Sequence, residues 1–91
     1  PIIELEARLA DFLARRLAIE GGEAYRALLR RSPSNADAYA GLGEADLALG
    51  QFQAGRAAFR SAVRARPSDS SIVRRLRVID SVLALDPPAA G

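Results

Sequence analysis

The chain of 91 residues has no cysteine, histidine, lysine, methionine or tryptophan. Without cysteine there is no disulfide and no thiolate metal site. Without histidine as well, the commonest general base and the strongest nucleophile are both missing. Neither an enzyme nor a metal or cofactor site is therefore expected. Because lysine is absent, all 13 basic side chains are arginine; set against 11 acids they give a net charge of +2, a small excess rather than a strongly basic field. This arginine usage, with abundant Ala, Leu and Gly, is the pattern of a GC-rich bacterial genome. Aromatic residues make up only 5% of the chain, which suits closely packed helices. No apolar run approaches the roughly 18 residues of a membrane helix. The start, Pro1-Ile2-Ile3-Glu4, lacks the basic region of a secretory leader. Pro87-Pro88-Ala89-Ala90-Gly91 reads as a linker-like tail. The chain is expected to be a soluble piece of a longer protein, with the compartment (bacterial cytoplasm or periplasm) left open.

What is present is helical periodicity. Ile2, Leu5, Leu9, Phe12 and Leu13 fall at spacings of three and four, with charges between them, and predict a first helix to Leu17. Gly21-Gly22 then interrupts the good helix formers. Glu23 to Arg31 resumes the pattern and Pro33 ends it. A third helix runs from a cap at Ser34 or Asn35 to about Leu49, stopped by Gly50. A fourth spans Phe52 to Ala65, with Phe52, Phe59, Ala62 and Val63 inward. A fifth spans Ser70 to Leu85, capped by Ser68 or Asp69, with Ile72, Val73, Leu76, Ile79, Val82 and Leu83 on one face. Sustained period-two alternation is absent, so no strand is expected.

Two stretches echo each other at a spacing of 34 residues. Ala24, Arg26, Arg30, Pro33 and Ser34 recur as Ala58, Arg60, Arg64, Pro67 and Ser68, and Tyr25 corresponds to Phe59. A unit of this length cannot bury its own apolar face and points to a stacked helical repeat. Residues 36–69 resemble the tetratricopeptide repeat: Tyr39, Leu42, Gly43, Gly50, Phe52, Gly55, Phe59, Ala62 and Pro67 occupy its large, small, turn, aromatic and proline positions. Asp46 departs from that pattern, standing where the family places a large apolar residue. In the first unit, strict register puts Leu9 at a small position and Arg16 at the turn, so either the first helix is longer and offset or Gly21-Gly22 is the turn. The resemblance implies an all-α antiparallel helix-hairpin solenoid of about five helices: repeat 1 over 2–35, repeat 2 over 36–69 and a capping helix over 70–85, one domain over 1–86 with the tail at 87–91. Arg77, at a small position of the cap, is expected to reach water and pair weakly with Asp80.

The resemblance also implies a function, the binding of a partner protein's peptide or helix in the concave groove lined by the first helix of each unit. Carried over by register, that groove would comprise Glu6, Ala10 and Leu13 from the first helix, Asp37, Ala40, Glu44 and Leu47 from the third, and Ser71, Arg74 and Val78 from the fifth. Its acids and apolar side chains would suit an apolar or basic segment. It lacks the Lys and Asn pattern with which some family members clamp a carboxylate. A structural spacer or self-association module, using Ile2, Ile3 and the outer face of the last helix, is the alternative. Arg56, Arg60 and Arg64, aligned with Arg26 and Arg30, form a ladder that nucleic acid would contact, but nearby acids nearly balance it and no aromatics interleave. That reading ranks below a solvated convex face. Asp46 and Asp80 read as solvated or arginine-paired carboxylates rather than an acid–base pair.

Overall fold

A computed structural model describes residues 2–85. It consists of four helices: α1 (Ile2–Arg31), α2 (Ala36–Ala48), α3 (Phe52–Ala65) and α4 (Ser70–Leu85), and no strand occurs among the described residues. The tail at 87–91 lies outside them.

The boundaries of the last three helices follow from local chemistry. Asn35 caps α2, its side-chain oxygen accepting from the Ala38 amide at 3.0 Å. Gly50 adopts φ +75° just after α2. Around it the Gln51 amide donates to the Asp46 carbonyl and the Gly50 amide to the Leu47 carbonyl, the paired bonds of a Schellman ending. Asp69 caps α4, one carboxylate oxygen accepting from the Ser71 and Ile72 amides.

Helix α1 corrects the expectation of five helices in two hairpins. It runs unbroken for 30 residues through Gly21 and Gly22. Each glycine costs about 1 kcal/mol in a helix interior, but neither forces a break. No Ser, Thr, Asp or Asn precedes Glu23 to cap a new start. Among the described residues the closest helix pair is α2–α3, with the C-terminal half of α1 packed on α2 and α4 packed on α3.

Small residues set the closeness of that packing. A β-carbon at Gly43 would come within 2.5 Å of the buried Phe59 ring, and one at Gly55 within 3.0 Å of the Gly43 carbonyl oxygen. The Tyr25 ring of α1 lies directly over Gly41 on α2, where a β-carbon would run into it. Ala36, Phe59, Ala62, Ile72 and Ile79 form the core, with Tyr39, Ala40, Leu47, Val63, Leu76 and Leu83 packed around it. Phe52 and Val82, both expected inward, are instead about half exposed. Phe52 is the first residue of α3, ahead of its buried stretch from Gly55, and Val82 lies in the last turn of α4.

Candidate functional site

Between α2 and α4 lies a cleft of about 200 Å³ lined by Leu47, Phe52, Arg75, Val78, Ile79, Val82 and Leu83. The α2–α3 turn delivers Phe52 to its rim, because the Gly50 ending reverses the chain within two residues. Ile79 sits deep and is buried, whereas Val78, Val82 and Phe52 expose their side chains at the mouth. Ser71, Arg74, Arg75 and Val78 line a shallower depression continuing along α4.

Two arginine forks brace this face. Arg75 of α4 donates Nε and Nη2 to the two carboxylate oxygens of Glu44 on α2, at 2.6 and 3.0 Å. Arg66, just after α3, donates Nη1 and Nη2 to the two oxygens of Asp37 at 2.9 and 3.2 Å, and its Nη1 also reaches Asp69 at 3.4 Å. The paired geometry fixes orientation as well as charge. The Arg66 hydrogen bonds and charge hold the Asp37 carboxyl below its ordinary value. Both carboxylates are therefore already satisfied within the chain and offer less to a basic ligand than the bare sequence implies. Arg74 has no carboxylate partner among the described residues.

The residues expected in the groove separate into two places. Leu47, Ser71, Arg74 and Val78 lie along the α2–α4 cleft and its extension, and Glu44 and Asp37 stand in the forks beside it. Ala40 packs against the core cluster. Glu6, Ala10 and Leu13 are exposed on the N-terminal half of α1, where no residue from 2 to 17 is buried. Phe52, Arg66 and Arg75 were missed. The partners of the two arginines lie 29 and 31 residues away; the adjacency of first helices in stacked units signals the Glu44–Arg75 pair alone.

Asp46 and Asp80, expected to be solvated or arginine-paired, are both arginine-paired. Asp46, buried at 4% exposure, faces Arg26 at 3.7 Å. Burial pushes its carboxyl up, and the Arg26 charge opposes that shift. Asp80 pairs with Arg56 of α3, Oδ1 and Nε approaching to 2.7 Å without hydrogen-bond alignment. This corrects the expected Arg77–Asp80 pair: Arg56 reaches Asp80 across the helix interface, and Arg77 is left exposed. The arginine ladder is broken in the same way. Arg26 and Arg56 are held by aspartates, which leaves Arg30, Arg60 and Arg64 as its exposed members without a carboxylate partner among the described residues, Arg64 bonding the Ser61 hydroxyl.

A family model described as tetratricopeptide repeat matches residues 18–78, which is 61 of the 91 residues. The chain belongs to the tetratricopeptide repeat family. Tetratricopeptide repeats generally mediate protein–protein interaction and are typically non-catalytic. The match begins at Ala18, the first buried residue of α1. Neither a curated protein nor a solved structure matches at a significant level. No helix among the described residues is long and apolar enough to cross a membrane.

Proposed function

We propose that the chain is a protein-binding module whose α2–α4 cleft holds an apolar peptide or helix from a partner. The observation that carries this reading is the meeting of Leu47 and Val78, from separate helices, in one apolar concavity with Phe52 and Val82 uncovered at its mouth. An apolar recess with few polar groups, edged by side chains that fix orientation, is the form of a helix- or peptide-binding groove. Arg74, in the depression that continues the cleft, has no carboxylate partner among the described residues and the two acids are satisfied internally, so the ligand is an apolar segment with an acidic flank.

Selection from a random peptide library against the full chain tests this. The expected winners are apolar segments followed by Asp or Glu. Val78→Asp with Val82→Asp weakens their binding by at least about tenfold, equivalent to roughly 1.4 kcal/mol, while the far-ultraviolet circular dichroism stays helical. Winners that bind the double variant as tightly as the parent chain would remove the cleft as the site.

A further inference from the structure

Helix α1 has an apolar stripe that the rest of the described chain leaves exposed. Leu5, Leu9, Leu13, Leu17 and Leu28 are 66, 58, 48, 68 and 40% exposed. With Ile2, Gly21 and Ala24 they recur at spacings of three and four, forming one stripe along the helix. At 3.6 residues per turn this stripe is turned away from Ala18 and Gly22, the side covered by α2.

The repeat register shows what kind of element is missing there. In the α2–α3 hairpin, Gly55, Ala58 and Ala62 are buried, and Gly55 lies against Leu47 and Gly43 of the antiparallel α2. The residues 34 positions earlier are Gly21, Ala24 and Leu28. Their antiparallel helix would be residues 2–14, but in α1 that segment runs on in line and cannot reach them. Gly21 points the same way. A β-carbon there would meet nothing within 4 Å, so the packing of the chain does not require glycine at that position, although glycine costs the helix about 1 kcal/mol against alanine. A close approach by something outside the chain accounts for it.

We propose that two copies of the chain pair through α1, antiparallel and two-fold symmetric, so that residues 2–14 of each cover the Gly21, Ala24 and Leu28 face of the other. The stripe is complementary to itself in this register. Leu9 faces Gly21 of the second copy, as Gly43 faces Gly55 within the hairpin. Leu5 faces Ala24, Leu13 faces Leu17 and Ile2 faces Leu28. Leu9 and Leu5 thus meet small residues, Leu13 and Ile2 meet other large apolar side chains, and an isologous contact closes at two copies. Charge agrees with the direction. Residues 2–11 carry three acids and one arginine, net −2, and residues 22–31 carry three arginines and one glutamate, net +2. An antiparallel pair brings these ends together and a parallel pair sets like against like.

Sedimentation of the full chain across micromolar concentrations is the first test, with a mass of twice 9.7 kDa expected. Leu9→Asp with Leu13→Asp is expected to halve that mass while leaving the circular dichroism helical. The cysteine-free sequence allows a second test. Leu9→Cys with Gly21→Cys, oxidised, is expected to migrate as a covalent dimer on a non-reducing gel. A parent chain that sediments at 9.7 kDa throughout, a dimer that survives the Leu9 and Leu13 substitutions, or a disulfide formed within one chain would each overturn the proposal. The last would show residues 2–14 folding back on their own copy. The α2–α4 cleft is untouched by these variants, so peptide binding there fails or succeeds independently.

Discussion

The α2–α3 hairpin and the N-terminal half of α1 stand in the same repeat register and have opposite fates. In the hairpin, Gly50 takes a positive φ, Gln51 closes the turn, and Gly43 and Gly55 let the two backbones meet. In the first unit, the residues 34 positions before Gly50 and Gly43 are Arg16 and Leu9. A non-glycine residue pays roughly 1–2 kcal/mol to enter the left-handed region that the turn uses. Ala14, Arg15, Arg16 and Leu17 are instead good helix formers. Helix continuation wins, and an apolar face that the repeat would fold inward stays outward. Loss of the turn glycine and of one close-packing glycine is enough to turn a hairpin into a rod.

The sharpest way to break this comparison is one substitution made in both regions. Phe59 is 2% exposed and Phe12 is 58% exposed. Phe59→Ala is expected to cost about 3–5 kcal/mol, a large share of the roughly 5–15 kcal/mol that keeps a domain folded. Phe12→Ala is expected to change thermal stability by no more than about 0.5 kcal/mol. Similar losses at both positions on the Leu9→Asp, Leu13→Asp background, where α1 is unpaired, would mean that residues 2–17 are packed within the chain.

Glycines offer a comparison by sign. Gly43→Ala forces its β-carbon into the buried Phe59 ring, and the overpacking costs about 1–3 kcal/mol, offset only partly by helix propensity. Gly21→Ala, measured on the Leu9→Asp, Leu13→Asp background to keep α1 unpaired, is expected to stabilise by about 0.5–1 kcal/mol. Urea midpoints read both effects. An effect of similar size to that at Gly21 follows at Asp46. Replacing this buried acid by the large apolar residue usual at its position, Asp46→Leu, fills the space beside Ala18, Ile19 and Leu49 and leaves Arg26 free to reach water. A gain of about 1 kcal/mol in urea is expected.

The pH dependence separates the two aspartates. Asp37 is held low by Arg66, so its contribution is present above the ordinary carboxylate range and is lost as pH falls through its folded value. Asp46 is raised by burial, so its cost is full at neutral pH and is relieved as pH falls. Asp46→Leu is therefore expected to steepen the loss of stability in acid, and Asp37→Asn to make it shallower. Acid titration of the thermal midpoint checks both slopes, and parallel curves for the two variants would contradict the assignment.

Much of the architecture was legible in the sequence because its signals are local. Asn35, Gly50 and Asp69 fix helix ends within four residues of themselves, and the ranges expected for α3 and α4 match those observed. The continuity of α1 was not legible. Gly21-Gly22 is a weak breaker without a cap, and whether a helix stops there depends on what packs beside Gly22, namely Leu42 and Ala45 of α2. The cleft was legible in part. Repeat register brought Leu47 and Val78 to one face, but it also assigned Glu6 and Ala10 there, on the assumption that the first unit folds back. The Asp37–Arg66 and Glu44–Arg75 forks join residues far apart in the chain, and no local pattern marks them.

The central claim is that residues 18–85 pack on one another while residues 2–17 take their cover from outside the chain. Amide hydrogen exchange resolved along the sequence, followed on dilution, tests it most directly. The account expects slow exchange in α2 and α3 at every concentration, and exchange in residues 2–14 that becomes fast as the chain is diluted. Protection of residues 2–14 that persists unchanged at the lowest concentration would contradict it.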